Sequence, residues 1–237
     1  MEKKKIIISL GGSLLWKENE INLNFLKKFR NLILKHLKKY KFVIFVGGGK
    51  IARKYQEALK EFGAESFERD QIGIEVTRLN AKVVKRIFSS FCNNTIITDP
   101  TKKVNFKKDI IVGSGFKPGF STDYVSVLFA KHNRIKEIIN LTNIDFIYDK
   151  DPRKFKNVKP LKEISFKEYK RIIGGKWEPG LSTPFDPIAS KLAEKLGINV
   201  FIINGEFLKR LDCVLNKKIF IGTLIYGSSK TNFKRKN

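Results

Sequence analysis

Short runs rich in Ile, Val and Phe recur along this chain, and the best defined of them stop at glycine turns. Ile6 to Leu10 runs into Gly11-Gly12, and Phe42 to Val46 runs into Gly47-Gly48-Gly49. Ile110 to Val112 runs into Gly113, with Gly115 and Gly119 close behind. Thr95 to Thr98, Glu137 to Asn140 and Asn199 to Ile203 have the same character. Longer segments of helical period separate these runs, which is the pattern of an α/β fold: an αβα sandwich with a mainly parallel central sheet. In an open sheet of this kind ligands bind outside the carboxyl ends of the strands. Glycine turns at several such ends therefore point at one crevice.

The intervening segments carry helix signals. Leu26, Phe29, Ile33 and Leu37 recur at spacings of three and four, one apolar stripe on a first helix. A second helix is expected from about Lys50 to Phe62 and a third from about Gln71 to Phe91. Ser165 with Glu168 forms a capping box, and Asp186-Pro187 opens a helix that ends near Gly197. There is no repeat and no linker long enough to separate independent domains. Residues 1–227 are read as one domain, with one lobe to about 120 and a second from about 121, followed by a basic, flexible tail over 228–237.

Composition narrows the class. Hydrophobic residues make up 42% of the chain, enough for a packed interior despite 48 basic against 23 acidic residues and a net charge of +25. The cations are spread along the chain rather than gathered in a nucleic-acid module. They read as a solvated lysine-rich surface with a preference for anions, phosphorylated small molecules included. Cys92 and Cys213 make no disulfide framework or metal knuckle, which fits a reducing, cytoplasmic setting. The start MEKKKIIISLGGSLLW is read as a first strand rather than a secretion signal, and no apolar run is long enough to span a membrane.

Glycine turns expose backbone N–H groups, and a helix N-terminus behind them adds positive potential, so the three together suit phosphate oxygens. GxxxxGK[ST] and GxGxxG are both absent, which argues against a P-loop NTPase and a standard dinucleotide fold. Lys50 follows the triple glycine, Arg53 lies a turn further on, and Lys117 sits inside the third glycine loop. Asp70, Asp123, Asp145, Asp151 and Asp186 form an acidic set, of which Asp123 and Asp186 also suit helix caps. His36, in a polar stretch of the first helix, and His132 support neither a metal site nor a histidine-based triad. Trp177, among Gly174, Gly175, Pro179 and Gly180, reads as surface packing.

ISLGGSLL, VGGGKIARKY, FERDQIGIEVTRLNA, GFKPGFSTD, LTNIDFIYDKDP, FDPIASKLAEKLGI and GTLI together resemble the amino acid kinase family, from residue 5 to 225. Within it the chain is most similar to the archaeal uridine monophosphate kinase branch. The resemblance implies phosphoryl transfer from MgATP to UMP, in pyrimidine nucleotide biosynthesis, by a homo-oligomer such as a hexamer built from dimers, with no membrane partner. It implies that Ser9, Leu10, Gly11, Gly12, Ser13, Gly49, Arg53, Thr142, Asn143, Tyr148 and Asp151 hold ATP. It implies that Gly48, Asp70, Gly115, Phe116, Lys117, Pro118, Gly119, Phe120 and Ser121 hold UMP. Lys50, Arg53, Asp123 and Asp186 would organise the transferring phosphates, and Mg²⁺ would be held by the phosphates rather than by protein ligands. Ser9 stands where bacterial members have lysine, and Lys50 is the expected replacement cation. Phe146 replaces a usual glycine, and Phe116 and Lys117 replace a usual Thr and His. The alternatives are a kinase of this fold acting on another small phosphate or carboxylate, or a non-catalytic protein binding nucleic acid.

Overall fold

The structure is a computed structural model describing residues 2–18, 20–152, 154–173 and 183–227. The Trp177 segment and the basic tail lie outside the described residues.

In chain order the strands are β1 (Lys4–Leu10), β2 (Trp16–Lys17), β3 (Glu20–Ile21), β4 (Tyr40–Val46), β5 (Ile110–Gly113), β6 (Glu137–Thr142), β7 (Ile147–Tyr148), β8 (Pro160–Leu161), β9 (Glu163–Ser165), β10 (Asn199–Asn204) and β11 (Thr223–Tyr226). The helices are α1 (Leu23–Lys35), α2 (Gly49–Glu61), α3 (Ser66–Phe88), α4 (Thr122–Asn133), α5 (Phe166–Ile173), α6 (Pro187–Lys195) and α7 (Leu208–Leu215). Seven strands form one sheet in the order β5-β4-β1-β6-β10-β11-β9, and β2-β3 and β7-β8 are separate two-stranded pairs. From β5 to β10 every pairing is parallel; β11 pairs antiparallel with β10 and parallel with β9, so these last two strands run opposite to the other five. All five parallel strands thus deliver their carboxyl ends to one edge.

The central strands are apolar on both faces because helices cover both. Ile6, Ile8, Leu10, Phe42, Ile44 and Val46 pack with Phe29 and Ile33 of α1, Val84 and Phe88 of α3 and Leu211 of α7. Ile7, Val43 and Phe45 point the other way, onto Phe129 of α4, Tyr169 of α5 and Ala189 of α6. Truncating one of the fully buried rings, such as Phe29 or Phe129, would cost about 3–5 kcal/mol.

Several expectations are corrected. Thr95 to Thr98 forms no strand: only Ile97 bridges, to Gly113, because Asn93-Asn94 and Pro100 bound too short a run. The third helix begins at Ser66, where the Glu65 and Glu68 side chains make a reciprocal capping box, and it ends at Phe88 before a short 3₁₀ turn. His36 is not on a polar face. It is buried at the end of α1 and lies 2.7 Å from Asp212. Ser165 and Glu168 cap α5 as expected.

Candidate functional site

The glycine turns meet. Gly11 donates its N–H to Leu141 O at 2.9 Å, and Gly47 to Leu10 O at 2.9 Å, so the turns after β1, β4 and β6 are tied edge to edge. A Cβ on Gly12 would fall 2.4 Å from Gly47 O, and one on Gly49 would fall 2.4 Å from Gly12 C. Gly49 also has φ +68°, so only glycine fits this crossing without strain. Asn80 of α3 fastens the turn from behind, donating to Gly47 O at 2.9 Å.

A cleft of about 310 Å³ opens over these turns. On one side α2 contributes Gly49, Ala52, Arg53 and Gln56, and α3 contributes Asp70, Gly73, Ile74 and Thr77, each set at helical spacing on one face. Across from them stand Gly115, Lys117, Phe120 and Ser121 of the loop after β5. This loop is strapped down twice. Gly119 N donates to Asp70 Oδ2 at 2.8 Å, and Gly115 N to Thr77 Oγ1 at 2.8 Å.

The cleft floor holds Ser9, Asn140, Asp123 and Asp186. Ser121, not Asp123, caps α4, accepting from Tyr124 N at 3.1 Å. Asp123 is thereby left to face the cleft from the first turn of that helix. Its Oδ1 accepts from the Ser9 hydroxyl at 3.0 Å and its Oδ2 from Asp186 N at 3.2 Å. Asp186 does cap α6, accepting from Ala189 N at 2.6 Å. Burial, then the adjacent Asp186 charge, push the Asp123 carboxyl up to about 7, against the pull of its two hydrogen bonds. Burial also raises Asp186, opposed by Ala189 N–H and the Ser121 hydroxyl. Two helix N-termini converge here and suit added negative charge, provided a cation accompanies it.

A second cavity of about 580 Å³ shares Thr142, Thr183 and Pro184 with the first. Ile144, Phe146, Ile147, Tyr148, Ile172 and Ile173 give it apolar walls, and Asn143, Asp151, Lys150 and Lys154 give it polar ones. Phe146 and Tyr148 meet edge to face with ring centroids 6.4 Å apart.

The residues expected for the acceptor and the transfer therefore fall in the cleft, as Gly48, Asp70, Gly115, Lys117, Phe120, Ser121, Arg53, Asp123 and Asp186. Ser9, Leu10, Gly11, Gly49 and Thr142 line it as well. Asn143, Tyr148 and Asp151 line the second cavity, with Thr142 at the junction. Gly12 supports the turns from beneath, and Ser13 sits in the 3₁₀ turn Gly12–Leu14; neither is among the lining residues. Phe116, Pro118 and Gly119 belong to the loop but not to the cleft wall. Lys50 is exposed on the first turn of α2 and does not line the cleft, where the cations among the described residues are Arg53 and Lys117. The ammonium of Lys117 lies over the Phe116 and Phe120 rings, 5.2 and 5.3 Å from their centroids.

Sequence reasoning missed Thr77, Asn80, Tyr169 and Thr223. Tyr169 is fully buried, and its hydroxyl both donates to Phe185 O and accepts from Phe185 N at 2.7 Å, bracing the segment that ends in Asp186. Thr223, within the GTLI motif, accepts from Ile147 N at 2.9 Å and donates to Leu161 O at 2.5 Å, holding β7 and β8.

The sequence profile of the amino acid kinase family matches residues 4–204. The chain belongs to the amino acid kinase family. Among relatives of this family, a uridylate kinase of Methanobrevibacter smithii is 36% identical over 218 residues, covering 90% of this chain and 95% of that one. One of Pyrococcus abyssi is 33% identical, covering 90% and 96%. The crystal structure of uridylate kinase from Archaeoglobus fulgidus superimposes with a TM-score of 0.80 at 27% identity, covering 93% of this chain and 99% of that one. Among the described residues no helix is long and apolar enough to cross a membrane.

Proposed function

We propose that this member of the family transfers the γ-phosphoryl group of ATP to UMP, giving ADP and UDP. One observation carries the reading: a glycine-rich cleft adjoins, across the shared walls of Thr142, Thr183 and Pro184, a cavity lined by Phe146 and Tyr148. The first suits phosphates and an acceptor nucleotide, the second the nucleoside of the donor. Names of relatives covering about nine-tenths of the chain agree with it.

A phosphomonoester has a second pKa near 6 and is largely dianionic at neutral pH, so its oxygen needs no general base. The obstacle is repulsion between two polyanions. Glycine-turn amides and Arg53 answer it by holding the reacting oxygens in line and offsetting their charge. Mg²⁺ would enter as part of the MgATP substrate, held by the phosphates. A phosphate-borne cation beside Asp123 and Asp186 would draw both carboxyls into the ionised form. Asp70 offers its carboxylate to ribose hydroxyls of the acceptor, and the loop it straps at Gly119 closes over the nucleotide.

The enzyme would act in the cytoplasm as part of pyrimidine nucleotide synthesis. It would do so as a homo-oligomer, whose contact could use the exposed apolar Tyr55, Phe62, Phe67 and Leu79 of the α2–α3 region. The test is an ADP-release assay with MgATP against UMP, CMP, AMP, isopentenyl phosphate and amino acids. UMP is expected to be preferred by at least tenfold. Turnover of another acceptor with none of UMP overturns the acceptor assignment, and salt-sensitive RNA binding without any turnover overturns the enzyme.

A further inference from the structure

We infer that Arg210, which lines neither cavity, sets the affinity for the donor nucleotide by holding the turn between β6 and β7 from behind. Thr142, Asn143, Ile144, Phe146, Ile147 and Tyr148 all line the second cavity, and Asp145 is the one residue of this run that does not. The inference rests on the reading of that cavity as the donor nucleoside site.

Asp145 Oδ1 accepts from Arg210 at 2.5 Å and from Asn204 Nδ2 at 3.1 Å. Both partners are fixed from other elements. Asn204 closes β10 in register with Thr142, and its Oδ1 accepts from Glu206 N at 3.0 Å, which leaves its amide N–H for the carboxylate. Arg210 stands in the first turn of α7, with its guanidinium 4.6 Å from the centroid of the Phe207 ring. Its side chain is 14% exposed against 46% for Asp145, so the cation is the prepositioned partner and the aspartate is the one captured. The pairing with Arg210, and then the Asn204 amide, hold the Asp145 carboxyl below its ordinary value.

On the other side of Phe146, Ile147 N is tied to Thr223 Oγ1 at 2.9 Å. Phe146 therefore sits between two tethers, one to β10 and α7 and one to β11, and its ring has its place in the cavity before any ligand arrives. Cutting the Arg210 tether lets the Ile144–Phe146 stretch relax, so that a donor must order it on binding. Arg210 is thus a positioning residue. Its effect should fall on the donor and spare the acceptor, whose wall is built from α2, α3 and the loop after β5.

The experiment measures ADP affinity by calorimetry and the acceptor KM by turnover on the full chain. Arg210→Met keeps the aliphatic stem and removes the charged fork; it should weaken ADP about tenfold with the UMP KM unchanged. Asp145→Asn, isosteric and half-exposed, should do the same and carries the test if the arginine variant does not fold. The double variant should be no worse than the worse single, since both cut one interaction. Arg210→Lys should recover most of the affinity. Unchanged ADP affinity in a folded Asp145→Asn, or equal losses for ADP and UMP, would overturn the inference. Ile172→Trp, which sets a larger ring in the wall of that cavity, separates this from the underlying reading. If it abolishes ADP binding while Arg210→Met and Asp145→Asn leave binding intact, the tether is wrong and the donor site stands. If ADP still binds to it normally, the donor assignment falls and the inference with it.

Discussion

The cleft and the second cavity are built in different ways. The cleft is built largely from backbone, at glycine turns of which Gly12 and Gly49 leave no room for a side chain, over two carboxyl groups that cap or begin helices. The second cavity is built from side chains on short, irregular segments, held in place by residues from distant strands. Phosphate oxygens need convergent N–H donors at fixed positions, which only a tight turn supplies; a base needs a slot, which many side chains can supply. The cleft should therefore tolerate almost no change, and the cavity should be tuned by small ones.

The sharpest way to break this contrast is Gly49→Ala. A Cβ there meets Gly12 at 2.4 Å in a backbone of φ +68°, so the turn must move. The expected result is a loss of activity greater than about 10³-fold and a stability loss of roughly 1–3 kcal/mol, read by assay and thermal melt. A variant of normal activity would show that the turn does not cradle phosphate.

Arg53→Ala should lower turnover on the order of 10²-fold, the scale of one preorganised donor to developing charge. Lys50→Ala is its control: exposed and off the cleft wall, it should stay within about threefold. A reversed ranking would move the transfer site toward Lys50.

Asp70→Asn should raise the acceptor KM about tenfold and leave that for ATP unchanged, since it weakens the proposed ribose contact as well as the strap to Gly119. Loss of ATP affinity instead would mean that the two pockets are assigned the wrong way round.

The smallest effect concerns pH. Burial, with the Asp186 charge beside it, raises the Asp123 carboxyl from the ordinary 3.8 of the unfolded chain to about 7 in the folded one. Between these values the folded protein holds a proton that the unfolded chain has lost, so stability falls as pH rises from about 4 to 7 and the whole cost is present above 7. Asp123→Asn removes the ionisation, and the Ser9 hydroxyl can reverse to accept from the new amide. Since Asp123 keeps part of its surface in water, the gain should be on the order of 1 kcal/mol at pH 8 and vanish near pH 4, measured by denaturant titration. A gain of equal size at both values would mean that neither burial nor the Asp186 charge raises the Asp123 carboxyl.

Much of the cleft was legible because its determinants are local. A strand run followed by glycines is written in consecutive residues, whereas the α3 face of Asp70, Gly73, Ile74 and Thr77 went unread, because the helix was expected from about Gln71 and in fact begins at Ser66. The exceptions are cases where two local rules competed. Ser121 and Asp123 both suit a cap, and the choice between them depends on Ser9 and Asp186, far off in sequence. Thr95 to Thr98 has strand character but room for a single bridge. The tethers of the second cavity were illegible for a plainer reason: Arg210 is 65 residues from Asp145, and Thr223 is 76 from Ile147. No local pattern announces such pairs. The +25 charge is spread over the chain, and among the described residues only Arg53 and Lys117 reach the cleft.

The most direct measurement is calorimetric titration with a single molecule in which adenosine and uridine are joined by five phosphates. If cleft and cavity are one continuous site, it will bind once per chain, at least a hundredfold tighter than ATP, and will be displaced by ATP and by UMP. Binding no tighter than ATP, with UMP still free to bind, would contradict the account.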